Sequence, residues 1–459
     1  MRKTVLLASV LFALQGVTTE QEIDRLADIK PVGMFIKDST LPGETRKDDV
    51  VPRHAVCIQV AKMRWLIVYY THGFRGVDDE RSILYQLRRD APDGEVIKEG
   101  FLARVNADWR PDGVPAPPPG KTYFKQHGHA VAFGVPKGAI VDGKPAPNAN
   151  VFVAQWRVLG RRLIAKEDRL ERAANDPVLM AKTQDVEWVQ FRLNDREDDL
   201  EILQAITQLR PKGDGKLPSA SMNQSFCPPV PFNKSASEWV VCNHFDKGRL
   251  AVLKFRFDPG SKRYEWVETS PFLADPKRPL SEASIVRQAD GWLISARSNG
   301  QIAWFNIKNL FGQVPTPLFL KEPSNSAPHT TFLCADGVIR LFTGDRAASA
   351  QKYDRDPLYC WDVSLKGELA LKNRRVVYDS LEQKLDIRRQ VRPRIDFAFL
   401  FPPHGRSQIV TYSVTPRAYN HPYEGTNIPP ASVQDKAASG LYFARITYKE
   451  DVPPMWRFE

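Results

Sequence analysis

In the stretch SEASIVRQADGWLISARS, residues 281–298, Glu282 and Arg297 stand eight and seven positions either side of Asp290. Asp-Gly between two apolar runs marks a β-hairpin turn. The acid and the guanidinium are therefore expected to meet at the same end of the hairpin. A carboxylate held there would serve as a base, and the arginine would hold an anion. The bland alternative is an exposed salt bridge worth about 0–1 kcal/mol. Polar residues open other apolar runs in the same way: Arg53 and His54, His127 and His129, Asn223 and Gln224, His329, and Arg394 and Asp396. Strand alternation places His127 and His129 on one face, where they would bind a metal or act as acid and base. Asp78, Asp79 and Glu80 form an acidic run in HGFRGVDDERS. Like-charged neighbours raise a carboxyl's pKa, which suits a proton donor; a solvated turn is the alternative.

Strands must bring these residues together. Six segments share one pattern: a polar opening, an apolar run, a turn, a second apolar run and an aromatic strand. They begin near Arg53, His127, Asn223, Glu282, His329 and Arg394, at spacings of 74, 96, 59, 47 and 65 residues. Such loose periodicity predicts an all-β chain folded as a six-bladed β-propeller. Blade count rises to seven if EWVQFRL, 187–193, opens its own blade, and a two-sheet sandwich is the competing architecture. The stretch LIAKEDRLERAANDPVLMAKTQ, 163–184, predicts a helical insertion. PVGMFIKD, 31–38, is placed to pair with C-terminal strands and close the ring, and GLYFARITYK, 440–449, to supply the last blade's outer strand. Closure removes open sheet edges.

The chain has 459 residues, 42% of them hydrophobic, enough for a sizeable core. Its N-terminus, MRKTVLLASVLFALQGVTTE, has two cations before the apolar run Thr4–Leu14. That reads as a signal peptide over residues 1–19, too short to span a membrane. Residues 20–459 then form a single exported domain, secreted or periplasmic, with no later spanning stretch. The net charge is +11, and 11 − 2 = +9 without Arg2 and Lys3. A basic exported protein steers anionic ligands such as acidic glycans. No basic arm or nucleic-acid motif accompanies the charge, so no nucleic-acid partner is expected. The five cysteines, Cys57, Cys227, Cys242, Cys334 and Cys360, contain no C-x-x-C pair. No structural zinc site and no cofactor are expected. Cys227 and Cys242 would either bridge a hairpin as a disulfide or pack as core thiols.

At this level the chain resembles the sialidases. Glu282-x₇-Asp290-Gly291-x-Leu293-x₃-Arg297 resembles the segment where the acid assisting the nucleophile precedes an arginine of the substrate-binding triad. Arg53 followed by Asp78 and Asp79 resembles the family's first blade, with its arginine and general acid/base. RDPLYCWDVSLKG makes Arg355 the match for the third arginine, with Arg346 in FTGDR as competitor. Tyr378 in RRVVYDSLEQ matches the nucleophile's context, and Tyr419 is an alternative. Asp boxes survive as remnants: SNGQIAW, 298–304, keeps Ser, Gly and Trp, and VSLKGEL, 363–369, keeps Ser and Gly. The resemblance implies an exported retaining glycosidase in which Arg53, Arg297 and Arg355 bind a sugar carboxylate. Glu282 would draw the proton from Tyr378, and Asp78 or Asp79 would protonate the leaving oxygen. His127, His129, His329 and Arg394 would complete the binding surface. Two other readings remain open. One is a propeller-fold polysaccharide lyase using Arg53, Tyr123 and His127; the other is a non-catalytic carbohydrate-binding propeller.

Overall fold

The computed structural model describes residues 25–36, 50–73, 82–104, 115–116, 119, 121–164, 169–171, 184–213, 217–219, 221–223, 226–275, 277–320, 323, 328–344, 355–380, 382, 394–415 and 440–458. These residues are almost entirely β-structure, arranged in successive antiparallel sheets of four or five strands plus one small three-stranded sheet. Sheet I comprises Val50–Ala61, Arg64–Gly73, Ile83–Arg89 and Val96–Ala103 in sequence order. Sheet II comprises Lys121–Val135, Val151–Ile164, Asp185–Leu193 and Leu200–Gln208, with Arg169–Glu171 also on Val151–Ile164. In sheet III, Met222–Asn223 and Val230–Pro231 both pair with Glu238–Phe245, followed by Arg249–Asp258 and Arg263–Thr269. Sheet IV runs from Leu280–Gln288 through Gly291–Ser298 and Gln301–Ile307 to Leu318–Phe319. Sheet V contains His329–Leu333, Ile339–Gly344, Leu358–Ser364 and Ala370–Tyr378. Sheet VI contains Arg394–Leu400, Ser407–Thr415, Gly440–Tyr448 and, outermost, Leu26–Ile36.

Each sheet packs face to face on the next, and the first strand of sheet VI packs back on the first strand of sheet I. The sequence shows why. A sheet covered on both faces needs continuous apolar strands rather than alternating ones. Trp65, Leu66, Ile67, Val68, Tyr69 and Tyr70 are accordingly all buried. The outer strand Leu200–Gln208 is more open: none of its residues is fully buried, and Ile202 and Ile206 are exposed. Large rings fill the spaces between sheets: Phe152, Trp156 and Phe191 between sheets I and II, and Phe133, Trp188, Phe255 and Trp266 between II and III.

Closure uses the N-terminal segment as anticipated, in register from Leu26↔Tyr448 to Ile36↔Leu441. The order differs from expectation: Gly440–Tyr448 is the third strand of its sheet, and Leu26–Ile36 covers its edge. EWVQFRL is the third strand of sheet II and opens no sheet of its own. Where a helix was expected near 163–184, the described residues are strand, with Arg169–Glu171 turned back on Arg162–Ile164; residues 165–168 and 172–183 lie outside the described part. No helix among the described residues is long and apolar enough to cross a membrane.

The Cys227–Cys242 disulfide is not formed, and all five cysteines are free and buried. The Cys227 thiol turns instead toward the carbonyls of Pro228 and Ile285, at 3.4 and 3.9 Å. Burial raises the Cys227 thiol to about 11, which makes it a core thiol rather than a nucleophile.

Candidate functional site

Four first strands carry the same device. Register shifts fall between Arg53 and Val56, Gly128 and Val131, Ser281 and Ser284, and Asp396 and Phe399. Each β-bulge contains a side chain followed by alanine: His54-Ala55, His129-Ala130, Glu282-Ala283 and Phe397-Ala398. The alanines are all buried. His54, His129 and Glu282 have φ of +47°, +54° and +49°, a left-handed conformation that costs a side-chain-bearing residue about 1–2 kcal/mol. Strain of this kind gathers where side chains are re-aimed for function.

The bulge at Glu282 explains the first ion pair. Arg297 is registered against Ser281, and the bend brings Glu282 beside it, so that Arg297 Nη1 donates to Glu282 Oε2 at 2.7 Å. Both side chains are only partly exposed, at 24% and 18%. A buried imidazole, His329, and a half-buried one, His244, flank the pair. His244 lies with Nε2 3.3 Å from the Leu280 carbonyl. Burial lowers its pKa to about 4, with Arg157 adding to the effect and Glu282 opposing it. His329 is lowered to about 3, first by burial and then by Arg297. His244 escaped the sequence reading because it stands late in a second strand rather than at a strand start.

These two histidines make stability depend on pH. Their folded pKa values lie below the ordinary value of 6.5, so the unfolded chain binds more protons over that interval. Stability is present above pH 6.5 and declines as pH falls toward 4, at about 1.4 kcal/mol per unit for each group. Urea melts between pH 7.5 and 4.5 should show this fall; a flat profile would mean that the imidazoles are charged in the fold.

A second cluster joins three sheets. Asp396, in sheet VI, accepts a hydrogen bond from Arg355 Nη1 and lies 3.6 Å from Arg53 Nη1. All three are buried. The chain thus supplies an acid of its own between two of the arginines assigned to a ligand carboxylate, leaving Arg297 paired elsewhere.

A third group is aromatic. His54 Nδ1 lies 3.0 Å from His129 Nδ1. Around them stand Tyr70, Phe226 and Phe397, with Phe226 stacked on Phe397 at 4.2 Å. His127 does not share this face. The bulge after Gly128 breaks the alternation, so His127 is buried near Glu187, with Nε2 3.7 Å from Oε2. Burial would raise Glu187, but His127 and Lys125 outweigh it and hold the carboxyl below its usual range. The expected joint site for the two histidines is therefore corrected. Among the described residues no group of three His, Cys, Asp or Glu side chains is placed to hold a metal ion.

Tyr378 sits at the end of the last strand of sheet V, not beside Glu282. Its ring packs 5.0 Å from that of Tyr412, its hydroxyl is buried with no hydrogen-bond partner among the described residues, and burial raises its pKa. The geometry expected of a nucleophile sharing its proton with Glu282 is not present. Its apolar context in RRVVYDS is that of a core residue. Asp78, Asp79, Arg346 and Tyr419 lie outside the described residues, and Arg394 is described only as the first residue of its strand.

Successive antiparallel sheets, with charged and imidazole side chains gathered at their first strands, define the chain as a β-propeller type of protein with a candidate site between sheets. No family model matches it, and no curated protein matches it. Among solved structures it is similar to a protein of unknown function from Dyadobacter fermentans, with 8% identity, a TM-score of 0.52, and coverage of 90% of this chain and 98% of that one. It is also similar to the NanB sialidase of Streptococcus pneumoniae, with 12% identity, a TM-score of 0.46, and coverage of 94% and 70%. For the leech intramolecular trans-sialidase the values are 10% identity, a TM-score of 0.46, and coverage of 91% and 70%.

Proposed function

We propose that this chain is an exported six-bladed β-propeller that acts as a sialidase-like glycoside hydrolase on an anionic glycan, bound where the first strands meet. The observation that carries the reading is Glu282, held by a strained bulge against Arg297 at the edge of a partly exposed site. A bidentate guanidinium recognises a sugar carboxylate, and an adjacent carboxylate manages a proton. Arg53 and Arg355, which meet at Asp396, are the other two proposed carboxylate contacts. Asp78 or Asp79 remains the proposed proton donor, Arg346 and Arg394 the proposed outer contacts, and no cofactor is required.

One observation favours a second reading. Two of the three candidate arginines already engage Asp396, and Tyr378 is buried away from Glu282, which suits a carbohydrate-binding propeller without turnover. A screen of sialosides and uronate polymers separates these. Released reducing sugar without unsaturated product supports hydrolysis. Unsaturated product indicates a lyase. Binding without either product indicates a lectin-like role.

Arg297→Lys should weaken binding of acidic sugars by about 1.5–3 kcal/mol, the contribution of a charge-assisted bidentate contact. Calorimetry with matched acidic and neutral sugars checks this. Equal losses for both would assign Arg297 to packing alone.

A further inference from the structure

We propose that His54 and His129 form a proton-handling dyad in which His129 takes a proton from the water that attacks the bound glycan and His54 orients it; this rests on the glycan-acting reading above. The two Nδ1 atoms are 3.0 Å apart, a hydrogen-bond distance, and two ring nitrogens make such a bond only if one carries the hydrogen. The imidazoles come from different sheets, and each stands in a bulge at left-handed φ, +47° and +54°. An unbulged strand would turn both away, so two strained bends are spent on a single contact. His54 is fully buried and its backbone N–H is tied to Ser413 Oγ at 3.3 Å, whereas His129 is only half-buried. The buried ring is therefore suited to orient and the accessible ring to react.

Tyr70 comes from the second strand of sheet I, Phe226 from sheet III, and Phe397 and Phe399 from the first strand of sheet VI. Tyr70 is the titratable group among them. The nearest charged neighbours in sequence and register are Arg53, held near Asp396, and Arg157, whose Nη2 lies 3.9 Å from where a Cβ on Gly128 would stand. In a neutral dyad the proton of the shared bond lies on His129 Nδ1, donated to His54 Nδ1, and His54 keeps its own hydrogen on Nε2. His129 Nε2 then carries a lone pair. As base it takes a proton from water: the O–H bond breaks, an N–H bond forms, and the water oxygen bonds to the anomeric carbon as the glycosidic C–O bond breaks, its electron pair leaving with the glycosidic oxygen, which is protonated by the acid of the reading above. His54 stays neutral throughout.

The test uses the full chain labelled with ¹⁵N-histidine, with ring signals assigned from His54→Gln and His129→Gln. Between pH 8 and 5 the His129 ring is expected to titrate while His54 remains the Nε2-protonated neutral tautomer. In His54→Gln the His129 midpoint should move by about one pH unit, as loss of a hydrogen-bond acceptor implies. Independent titration of both rings, or an unmoved midpoint, overturns the dyad, as does stoichiometric zinc binding that removes both ring signals at micromolar metal. Should His54→Gln fail to fold, wild-type tautomers and titration decide alone. On any glycan the wild type cleaves, His129→Gln should lower kcat by about 10²-fold with KM little changed; wild-type turnover overturns the role and leaves the glycan reading standing. If the wild type neither binds nor cleaves any glycan, the catalytic role falls with that reading.

Discussion

Replacing Asp396 by alanine is expected to destabilise the fold by about 3–5 kcal/mol, the usual result of removing one partner from a buried ion pair. Asp396 is 3% exposed, and Arg53 and Arg355, which meet it from neighbouring sheets, are 5% and 6% exposed. Removing the carboxylate leaves two guanidinium groups in a region where neither regains full hydration. Asp396→Asn keeps the shape but loses the charge and should fall between wild type and alanine. Urea denaturation measures both. A loss under about 1 kcal/mol for the alanine variant would mean that the arginines are hydrated or answered by other acids. The cluster would then stand open to a ligand carboxylate rather than satisfied from within.

Glu282→Gln carries the second large expectation. Glutamine preserves the size and can still accept from Arg297, so stability should change by no more than about 1 kcal/mol. Loss of the carboxylate beside Arg297 should nevertheless reduce turnover on an acidic glycan by about 10²-fold or more. Thermal melting beside steady-state kinetics separates the effects. Full activity in the glutamine variant would remove Glu282 from the chemistry and leave the His54–His129 pair as the proton-handling element. A large drop in melting temperature with proportionate loss of activity would make the ion pair structural.

The architecture was readable because local signals agreed with it. Apolar runs bounded by turn residues marked the strands, and the Asp-Gly hairpin placed Glu282 and Arg297 together, although the two turn residues are Ala289 and Asp290, with Gly291 already pairing. Alternation failed where bulges intervene. A period of two assigns His127 and His129 to one face, but a single extra residue inverts everything beyond it. The signal that would have prevented this was present: RHAV, GHAV, SEAS and DFAF each put alanine after the residue to be re-aimed. Tyr378 presents a related difficulty. Sequence context does not distinguish a side chain between sheets from one at their meeting point, because both lie in apolar runs. His244 and Asp396 reach the site by register, a property of strand pairing rather than of any one segment.

The central claim is that the meeting point of the first strands recognises a carboxylated sugar. It is tested most directly by equilibrium binding of a sialoside, and of the same glycan without its acidic sugar, to the Glu282→Gln variant, in which turnover is suppressed. The account predicts saturable binding of the sialoside, weakened by added salt as an arginine-held anion should be, with the neutral glycan bound at least tenfold more weakly. Equal binding of the two glycans, or binding of neither, would contradict it.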